Sequence, residues 1–218
     1  MSFNKNNFEQ INKSTFVRHN FISEDLCDTL VEIAKKQNIE HKLGEDVENP
    51  ILFFNTDSLP NEIINLFYSL EEKEERCFFA GFTFSHVLKG SHWFPHRDTD
   101  GYTYKNGEKV YGGVLYLTDA EGGTLFYPEM HSYYHPKKGD LVLHHTSALH
   151  YTSEVESNDR YTITLYVWSP IIKNENDLRE VLHDFGNEKT RKEFVAYFKE
   201  ISKELNLEHV LDEYRLGF

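Results

Sequence analysis

The spacing of apolar residues divides the chain into helical ends and a β-rich middle. After Ser23, a residue that caps helices well, the apolar residues Leu26, Leu30 and Ile33 recur every three or four positions and predict an amphipathic helix. A second helix is predicted to begin near Pro60, because proline suits the first turn of a helix. Helical spacing returns near the C-terminus, at the apolar residues Phe194, Phe198, Ile201 and Leu205.

The middle of the chain, from about Cys77 to Trp168, has a different pattern. Short runs of aromatic and β-branched residues are separated by turn residues, and these runs are FFAGFTFSHVL, VYGGVLYLT, TLFYP, DLVLHH and YTITLYVW. Many short strands at fairly regular spacing favour an antiparallel sandwich or barrel. Asn106 and Gly107, between alternating residues, predict a hairpin with a type I′ turn. The order of helices, strands and helices predicts an α+β fold with a mainly β core.

The same pattern predicts how the chain is organised. Residues 1–15 are polar and rich in asparagine, so we expect a loosely ordered N-terminus. Residues 16–170 are predicted to form one domain, and residues 171–218 a helical extension that packs on that domain. A partner-binding surface is the alternative interpretation of the apolar face of the C-terminal helix.

Composition and charge narrow the function without identifying it. Aromatic residues make up 15% of the 218 positions, which favours a substantial folded core over disorder. A formal net charge of -13 repels phosphate groups, so we expect neither nucleic acid nor an anionic membrane as a partner. The two cysteines form no CxxC pair, and neither a signal peptide nor a long apolar segment is evident. We therefore expect a cytoplasmic protein that does not enter a membrane.

Candidate chemistry is concentrated between residues 96 and 168. His96 and Asp98 form an HxD pair, and residues two apart on an extended segment point the same way, so both side chains can reach one ion. His150 is the best candidate for a third ligand. Two imidazoles and one carboxylate form the facial triad of non-haem iron(II) enzymes, which leaves coordination positions open. A structural zinc site needs four closed ligands, and the sequence offers no such set.

Other histidines are weaker candidates. His144 and His145 end the run DLVLHH and are alternative third ligands, although packing or a hydrogen bond to a ligand suits them better. His131 and His135 lie between two prolines and are predicted to occupy a surface loop. His92 has no carboxylate two residues later.

A cation suited to a dicarboxylic acid follows these histidines. Arg160 begins the run RYTITLYVW, and a guanidinium binds a carboxylate through two parallel hydrogen bonds. Thr162 and Thr164 alternate on one face of the same predicted strand and offer hydroxyl groups.

In combination and in order, these features resemble the iron(II)/2-oxoglutarate dioxygenases of the prolyl 4-hydroxylase type. The resemblance covers roughly residues 16–170. It rests on FISEDLCDTLVEIA, Gly90, the HRD of His96 to Asp98, LYLTDAEGGTLFYPE, PKKGDL, LHYTSEV and RYTITLYVW. It implies a double-stranded β-helix, or jelly-roll, fold with flanking N-terminal and C-terminal helices. It also favours His150 as the third ligand, because His144 and His145 have a poorer spacing to Arg160.

The resemblance implies a role for each candidate residue. The implied ligands of Fe(II) are His96, Asp98 and His150. The implied contacts to the co-substrate 2-oxoglutarate are Arg160, Tyr116 and Thr164. Dioxygen is the other co-substrate, and ascorbate is a candidate stimulant.

One wall of the predicted pocket departs from the family pattern. Members often carry a tyrosine nine or ten residues before the first iron ligand, where this chain has His86 and Val87. We therefore expect His86 to replace that tyrosine as a donor to the co-substrate. The hairpin at residues 99–111 follows Asp98 and is a candidate lid, with an edge hairpin that contacts no substrate as the alternative. The candidate substrate contacts are Trp93, Tyr102 and Tyr104.

The resemblance implies an oxidoreductase that hydroxylates an unactivated C–H bond and releases succinate and carbon dioxide. A halogenase needs the position of Asp98 for its halide, so the acid favours hydroxylation. The family implies a prolyl residue or another protein or peptide residue as substrate. A free amino acid or other small molecule is the alternative substrate, and a degenerate jelly-roll binding protein is the alternative to an enzyme. The sequence assigns no oligomeric state.

Overall fold

The computed structural model describes residues 7–36, 51–54, 63, 66–67, 78–98, 107–184 and 192–214. The strands are β1 (Glu9–Asn12), β2 (Thr15–Arg18), β3 (Ile51–Phe54), β4 (Phe78–Val87), β5 (Trp93–His96), β6 (Gly107–Tyr116), β7 (Leu125–Tyr127), β8 (Ser132–Tyr134), β9 (Leu141–His145), β10 (His150–Thr152) and β11 (Arg160–Pro170). The helices are α1 (Glu24–Lys36), α2 (Glu175–Asp184), α3 (Lys192–Leu205) and α4 (Glu208–Glu213), and Pro128–Met130 forms one 3-10 turn.

Two antiparallel sheets form the centre of the molecule. The larger sheet has seven strands in the order β1-β2-β9-β6-β11-β4-β3, and the smaller has four in the order β5-β10-β7-β8. From β4 to β7 and from β8 to β11, consecutive strands lie in different sheets, so the chain crosses repeatedly between the two sheets, as in a jelly roll. The predicted α+β fold with a mainly β core is confirmed.

Strand periodicity divides the side chains of the large sheet between two faces. On β9, Leu141 and Leu143 belong to the main hydrophobic core, whereas Val142 packs in a second cluster and His144 lines a cavity. On β11, Ile163 belongs to the main core while the threonines beside it line the same cavity. Polar residues of these strands therefore converge on the cavity face.

Helix α1 packs on the other face of the large sheet. Its buried residues Cys27, Leu30 and Ala34 lie in one cluster with the core-facing residues of the sheet. The Ser23 hydroxyl accepts a hydrogen bond from the backbone N–H of Leu26 at 3.3 Å, so the predicted N-cap is present. Of the helix predicted near Pro60, only scattered positions are described, and these are helical at residues 63 and 66–67.

The N-terminus is more ordered than its composition predicts. Glu9–Asn12 forms β1 and pairs with β2, and the Asn12 side-chain amide donates to the Ser132 hydroxyl at 3.0 Å. The expectation of a loosely ordered segment is therefore wrong for residues 9–15. The backbone N–H and C=O groups of a polar segment form hydrogen bonds when the segment pairs with a strand at a sheet edge. Residues 1–6 lie outside the described ranges.

The C-terminal helices form a hydrophobic cluster of their own. Leu178 and Val181 of α2, Phe198 of α3 and Leu211 of α4 are buried together, and Ile172 joins them. Arg179 of α2 donates to both carboxylate oxygens of Glu213, at 2.6 and 3.0 Å, and so ties α2 to the end of α4. Packing of this extension on the domain predicted for residues 16–170 stays a prediction. Among the described residues, no helix is long and apolar enough to cross a membrane.

Candidate metal centre and co-substrate pocket

A cavity of about 400 Å³ lies between the two sheets. The large sheet contributes residues from β4, β6, β9 and β11, and the small sheet contributes residues from β5, β7 and β10. Most of its wall is apolar, with polar groups gathered at two places, which is the usual composition of a ligand site. One group of polar residues surrounds Asp98, and the other surrounds Arg160.

The three predicted metal ligands lie close together in the polar group around Asp98. His96 ends β5, Asp98 follows it, and His150 begins β10, opposite His96 in the antiparallel pair. Asp98 Oδ1 lies 3.7 Å from His96 Nε2 and 3.9 Å from His150 Nε2. One ligand atom from each residue lies within 4.8 Å of the others, a spacing that a single ion can span. Sheet pairing therefore brings together residues 54 positions apart in the chain.

Both imidazoles are oriented by the backbone. The Nδ1–H of His96 donates to the Phe94 carbonyl at 2.7 Å, and that of His150 donates to the Ala148 carbonyl at 2.9 Å. These bonds assign the tautomers and leave an Nε2 lone pair on each ring for a metal. The two rings are 4.3 Å apart between centroids.

The protonation states also suit a metal. Burial lowers the pKa of His150 to about 3, helped by the nearby His144 and opposed by the Ala148 carbonyl and Asp98. Burial acts to raise the pKa of Asp98, but the hydrogen bond from His144 and the surrounding histidines outweigh it and lower the pKa. A neutral imidazole and an ionised carboxylate are the forms that bind metals.

Arg160 is the central residue of the second polar group. It begins β11 and is 3% exposed. Nη1 donates to the Gly123 carbonyl at 2.6 Å, and Nη2 to the Gly122 and Ala120 carbonyls at 3.3 and 3.4 Å. The guanidinium carbon lies 5.2 Å from the centre of the Tyr116 ring, close enough for a cation–π contact.

The Arg160 site has an unused donor and, among the described residues, no ion pair. Within the described ranges its hydrogen bonds all go to neutral carbonyl oxygens, and its buried Nε–H has no partner. Burial lowers the pKa of Arg160, yet a guanidinium stays charged in proteins. A buried cation without a counter-ion is costly, so this place is suited to an anion.

Both places fit the groups that the resemblance implies. Two imidazole nitrogens and one carboxylate oxygen leave part of an iron(II) coordination sphere open. The carboxylate of a dicarboxylic acid would supply the acceptor that the Arg160 Nε–H lacks. Glycine at 123 is required next to this cation, since a Cβ there would lie 2.2 Å from Arg160 Nη1.

The other predicted pocket residues have mixed outcomes. Thr164 lines the cavity, and its hydroxyl donates to the Thr83 carbonyl at 3.3 Å. Trp93 also lines the cavity, with its ring 5.8 Å from that of His96. Tyr102 and Tyr104 lie outside the described residues, as do residues 99–106 of the candidate lid.

His86 is not where the sequence analysis expects it. Its Nε2 lies 2.9 Å from an Asp159 carboxylate oxygen, its ring stacks on Tyr161 at 4.3 Å, and it does not line the cavity. The expectation that it contacts the co-substrate is wrong, because strand alternation turns it to the opposite face of β4. Its neighbours Ser85 and Val87 face the cavity instead.

Sequence reasoning missed one feature of the cavity. Ser85 is 1% exposed, and its hydroxyl has no hydrogen-bond partner among the described residues. The period of two along β4 was the signal that pointed to it. For His144, the sequence favours packing or a hydrogen bond to a ligand over ligation, and its Nε2 lies 3.1 Å from Asp98 Oδ2 beside the triad. His131 and His135 are exposed next to β8, as the loop prediction requires.

The comparisons with known proteins agree with this geometry. Residues 82–168 match the family model described as the 2OG-Fe(II) oxygenase superfamily. The matched segment contains His96, Asp98, His150 and Arg160. This matched segment is therefore that of a 2OG-Fe(II) oxygenase. Fe(II) and 2-oxoglutarate are accordingly the cofactor and co-substrate of this oxidoreductase, and the predicted family is confirmed.

Solved structures share the fold of this oxygenase at low sequence identity. The viral collagen prolyl hydroxylase vCPH from Paramecium Bursaria Chlorella virus-1, in a 2OG complex, is 17% identical, with a TM-score of 0.55 over 74% of this chain and 97% of that chain. A prolyl-4-hydroxylase of Pseudomonas putida is 15% identical, with a TM-score of 0.54 over 72% and 92%. HygX from Streptomyces hygroscopicus, with nickel and 2-oxoglutarate bound, is 9% identical, with a TM-score of 0.54 over 76% and 85%. These likenesses confirm the double-stranded β-helix. No curated protein matches the chain.

Proposed function

We propose that this oxygenase hydroxylates an unactivated C–H bond, with His96, Asp98 and His150 as iron ligands and Arg160 as the anchor of 2-oxoglutarate. The supporting observation is that one cavity holds a converging His-Asp-His set and a buried guanidinium that forms no ion pair with the described residues. In the balanced reaction, substrate, 2-oxoglutarate and dioxygen yield hydroxylated substrate, succinate and carbon dioxide.

In this proposal, three residues bind the metal and Arg160 binds the co-substrate. The Nε2 atoms of His96 and His150 and one oxygen of Asp98 hold the metal. Arg160 neutralises the distal carboxylate of 2-oxoglutarate, and its contacts to fixed backbone carbonyls keep it in place. Iron(II) with dioxygen and 2-oxoglutarate supplies the oxidant that cleaves the C–H bond. The protein positions that bond and keeps competing water away from it.

We propose a prolyl residue, or another residue of a protein or peptide, as the substrate. Two of the structural neighbours above are named as prolyl hydroxylases, which supports this class. Trp93 lines the cavity beside His96, so an indole ring lies near the proposed iron site. A flat aromatic surface suits the ring of proline.

An anaerobic titration tests the metal and co-substrate assignments. Adding Fe(II) and then 2-oxoglutarate to the protein should produce the weak visible charge-transfer band of a chelated keto acid. The band should be lost in His150→Ala and should need more 2-oxoglutarate in Arg160→Gln. A band of full intensity in His150→Ala would contradict the ligand set. The absence of a band in the wild type would support the binding-protein alternative.

A screen for stimulated succinate formation tests the substrate class. Peptides that contain proline and a panel of free amino acids and other metabolites are offered in parallel, with Asp98→Ala as the inactive control. We expect a peptide to stimulate turnover. The peptide should gain about 16 Da, the mass of the one oxygen atom that hydroxylation adds. Stimulation by metabolites alone would overturn the peptide assignment in favour of a small-molecule hydroxylase.

A further inference from the structure

His144 lies beside the proposed iron ligands. It is 2% exposed, its Nε2 lies 3.1 Å from Asp98 Oδ2, and its ring centroid is 4.0 Å from that of His150. Its other ring nitrogen, Nδ1, lies 3.4 Å from the Tyr127 hydroxyl. When that hydroxyl donates to Nδ1, the proton of the imidazole is on Nε2, and His144 donates to Asp98.

The geometry separates His144 from the ligands themselves. The described set whose ligand atoms lie within 4.8 Å of one another consists of His96, Asp98 and His150, and His144 is outside it. His144 contacts Oδ2 of Asp98, whereas Oδ1 is the oxygen that approaches the two other imidazoles. The two oxygens of Asp98 therefore have different neighbours.

Gly112 makes this arrangement possible. It lies opposite His144 in the register of β6 and β9. A Cβ on Gly112 would be 1.9 Å from Asp98 Oδ2 and 3.2 Å from His144 Nε2. The hydrogen bond between the two side chains thus occupies space that any other residue at 112 would fill.

We infer that His144 is a positioning residue that holds Asp98 Oδ2 and presents Oδ1 alone to the metal. A carboxylate held by one oxygen leaves more of the coordination sphere open than one bound through both. This inference rests on the proposed function, because it takes Asp98 as a ligand.

Cobalt(II) binding at one fixed pH tests the inference without relying on turnover. His144→Phe keeps an aromatic ring but removes the donor, and we expect it to weaken Co(II) binding about 10–100-fold, the usual effect of removing a partner of a metal ligand. We also expect a changed visible Co(II) spectrum, which reports coordination geometry. His144→Gln places an amide N–H near the position of Nε2 and should restore affinity and spectrum.

Matched variants keep the test decisive. His145→Gln changes the adjacent histidine, whose Nδ1 lies 2.7 Å from the Ser147 hydroxyl, and should bind Co(II) like the wild type. If His144→Phe does not fold, His144→Asn serves instead, because its shorter amide does not reach Asp98. Equal affinity and spectra in the Gln variant and in the Phe or Asn variant would overturn the inference. Failure of the wild type to bind Co(II) would instead contradict the proposed function.

Ser85 supports a second, independent inference at the other end of the cavity. Its hydroxyl is buried and unpartnered among the described residues, like the Arg160 Nε–H. Both residues line the cavity, on strands that pair with each other: Ser85 is opposite Thr162, and Val87 is opposite Arg160. Burying a hydroxyl without a partner is unfavourable, so a ligand that accepts its hydrogen bond would be favoured.

We infer that Ser85 binds the distal carboxylate of 2-oxoglutarate together with Arg160, in place of the donor expected from His86. This inference also rests on the proposed function. Ser91 provides a matched control, since its hydroxyl is equally buried and unpartnered in the described part of the chain but does not line the cavity.

Calorimetric titration of 2-oxoglutarate into the nickel-loaded protein tests this role. We expect Ser85→Ala to bind about 10-fold more weakly, as for loss of one hydrogen bond to a charged group, and Ser91→Ala to bind like the wild type. Both alanine variants should unfold at the same or a higher temperature, because each removes an unpartnered buried hydroxyl. Lower affinity without lower stability separates a binding role from a structural one.

A shorter acid identifies the carboxylate involved. 2-Oxobutyrate keeps the keto-acid end but lacks the distal carboxylate, so Ser85→Ala should not change its binding. Wild-type affinity for 2-oxoglutarate in Ser85→Ala, or an equal loss with 2-oxobutyrate, would overturn the inference. If the nickel-loaded wild type does not bind 2-oxoglutarate at all, the proposed function fails instead.

Discussion

The two ends of the cavity contain opposite kinds of unsatisfied group. At the metal end, acceptors converge: Asp98 Oδ1 lies 3.7 and 3.9 Å from the Nε2 atoms of His96 and His150. At the anion end, the Arg160 Nε–H and the Ser85 hydroxyl have no hydrogen-bond partner in the described part of the chain. The first end is therefore suited to a cation and the second to an anion.

This contrast explains how the cavity could orient its co-substrate. A molecule with a chelating group at one end and a carboxylate at the other satisfies both ends in one direction only. The two ends also differ in construction. The metal end is assembled from strands of the small sheet and the residues after them, whereas Arg160 is held on one strand of the large sheet by backbone carbonyls. The ends should therefore respond separately to mutation.

The largest effect is expected at the metal end. His150→Ala removes one of three proposed ligands, so we expect metal affinity to fall by more than about 100-fold, beyond the effect of losing a neighbour of a ligand. Metal-dependent binding of 2-oxoglutarate should be lost with it. Equilibrium dialysis with Ni(II) measures the first quantity and calorimetry the second. Near-normal Ni(II) binding would mean that the metal is held elsewhere.

Arg160→Lys tests the anion end with the charge retained. A lysine cannot reproduce the fork that reaches the Gly123 and Gly122 carbonyls and still leaves an N–H for a carboxylate. We expect 2-oxoglutarate affinity to fall about 100-fold, the equivalent of one or two hydrogen bonds to a charged group. Ni(II) affinity measured without 2-oxoglutarate should stay unchanged. A parallel loss of Ni(II) binding would show that the two ends are not independent.

Two glycine substitutions should reproduce this separation in smaller steps. In Gly112→Ala the new Cβ would lie 1.9 Å from Asp98 Oδ2, and in Gly123→Ala it would lie 2.2 Å from Arg160 Nη1. We expect about 10-fold weaker Ni(II) binding in the first variant, comparable to loss of a neighbour of a metal ligand. We expect about 10-fold weaker 2-oxoglutarate binding in the second, comparable to one charged hydrogen bond.

The glycine pair carries its own control. Each variant is measured with both ligands, so each serves as the control of the other. Gly123 has a φ of +58°, so its alanine variant also strains the backbone, whereas Gly112 has no such constraint. Thermal unfolding of the ligand-free proteins measures that additional cost. Equal losses of both ligands in both variants would contradict separate ends.

The same comparison explains what could be predicted from sequence. His96 and Asp98 are two residues apart, and the strand period alone places them together. Arg160 begins an unmistakable β run, so its place at the start of a strand follows from the sequence. The mainly β core follows for the same reason, since short aromatic and β-branched runs have few other ways to be buried.

Other details depend on contacts that no local pattern contains. His86 and Ser85 are adjacent, and the register of β4 against β11 decides which of them faces the cavity. His144 differs from His150 by its distance to Asp98, which depends on how the two sheets are placed. The pairing of β1 with β2 likewise orders a polar segment for which composition alone predicts a loosely ordered structure.

The smallest effect separates donors that are already used from donors that are not. Thr164 lines the cavity like Ser85, but its hydroxyl donates to the Thr83 carbonyl at 3.3 Å. A donor with a backbone partner has little left for a ligand, so Thr164→Val should weaken 2-oxoglutarate binding by no more than about 3-fold, within the range of one weak neutral hydrogen bond. The variant should instead lower the unfolding temperature slightly, because the Thr83 carbonyl loses a donor. A loss as large as that expected for Ser85→Ala would mean that Thr164 turns its hydroxyl to the carboxylate when 2-oxoglutarate binds, and the anion end would then be completed by the ligand rather than built in advance.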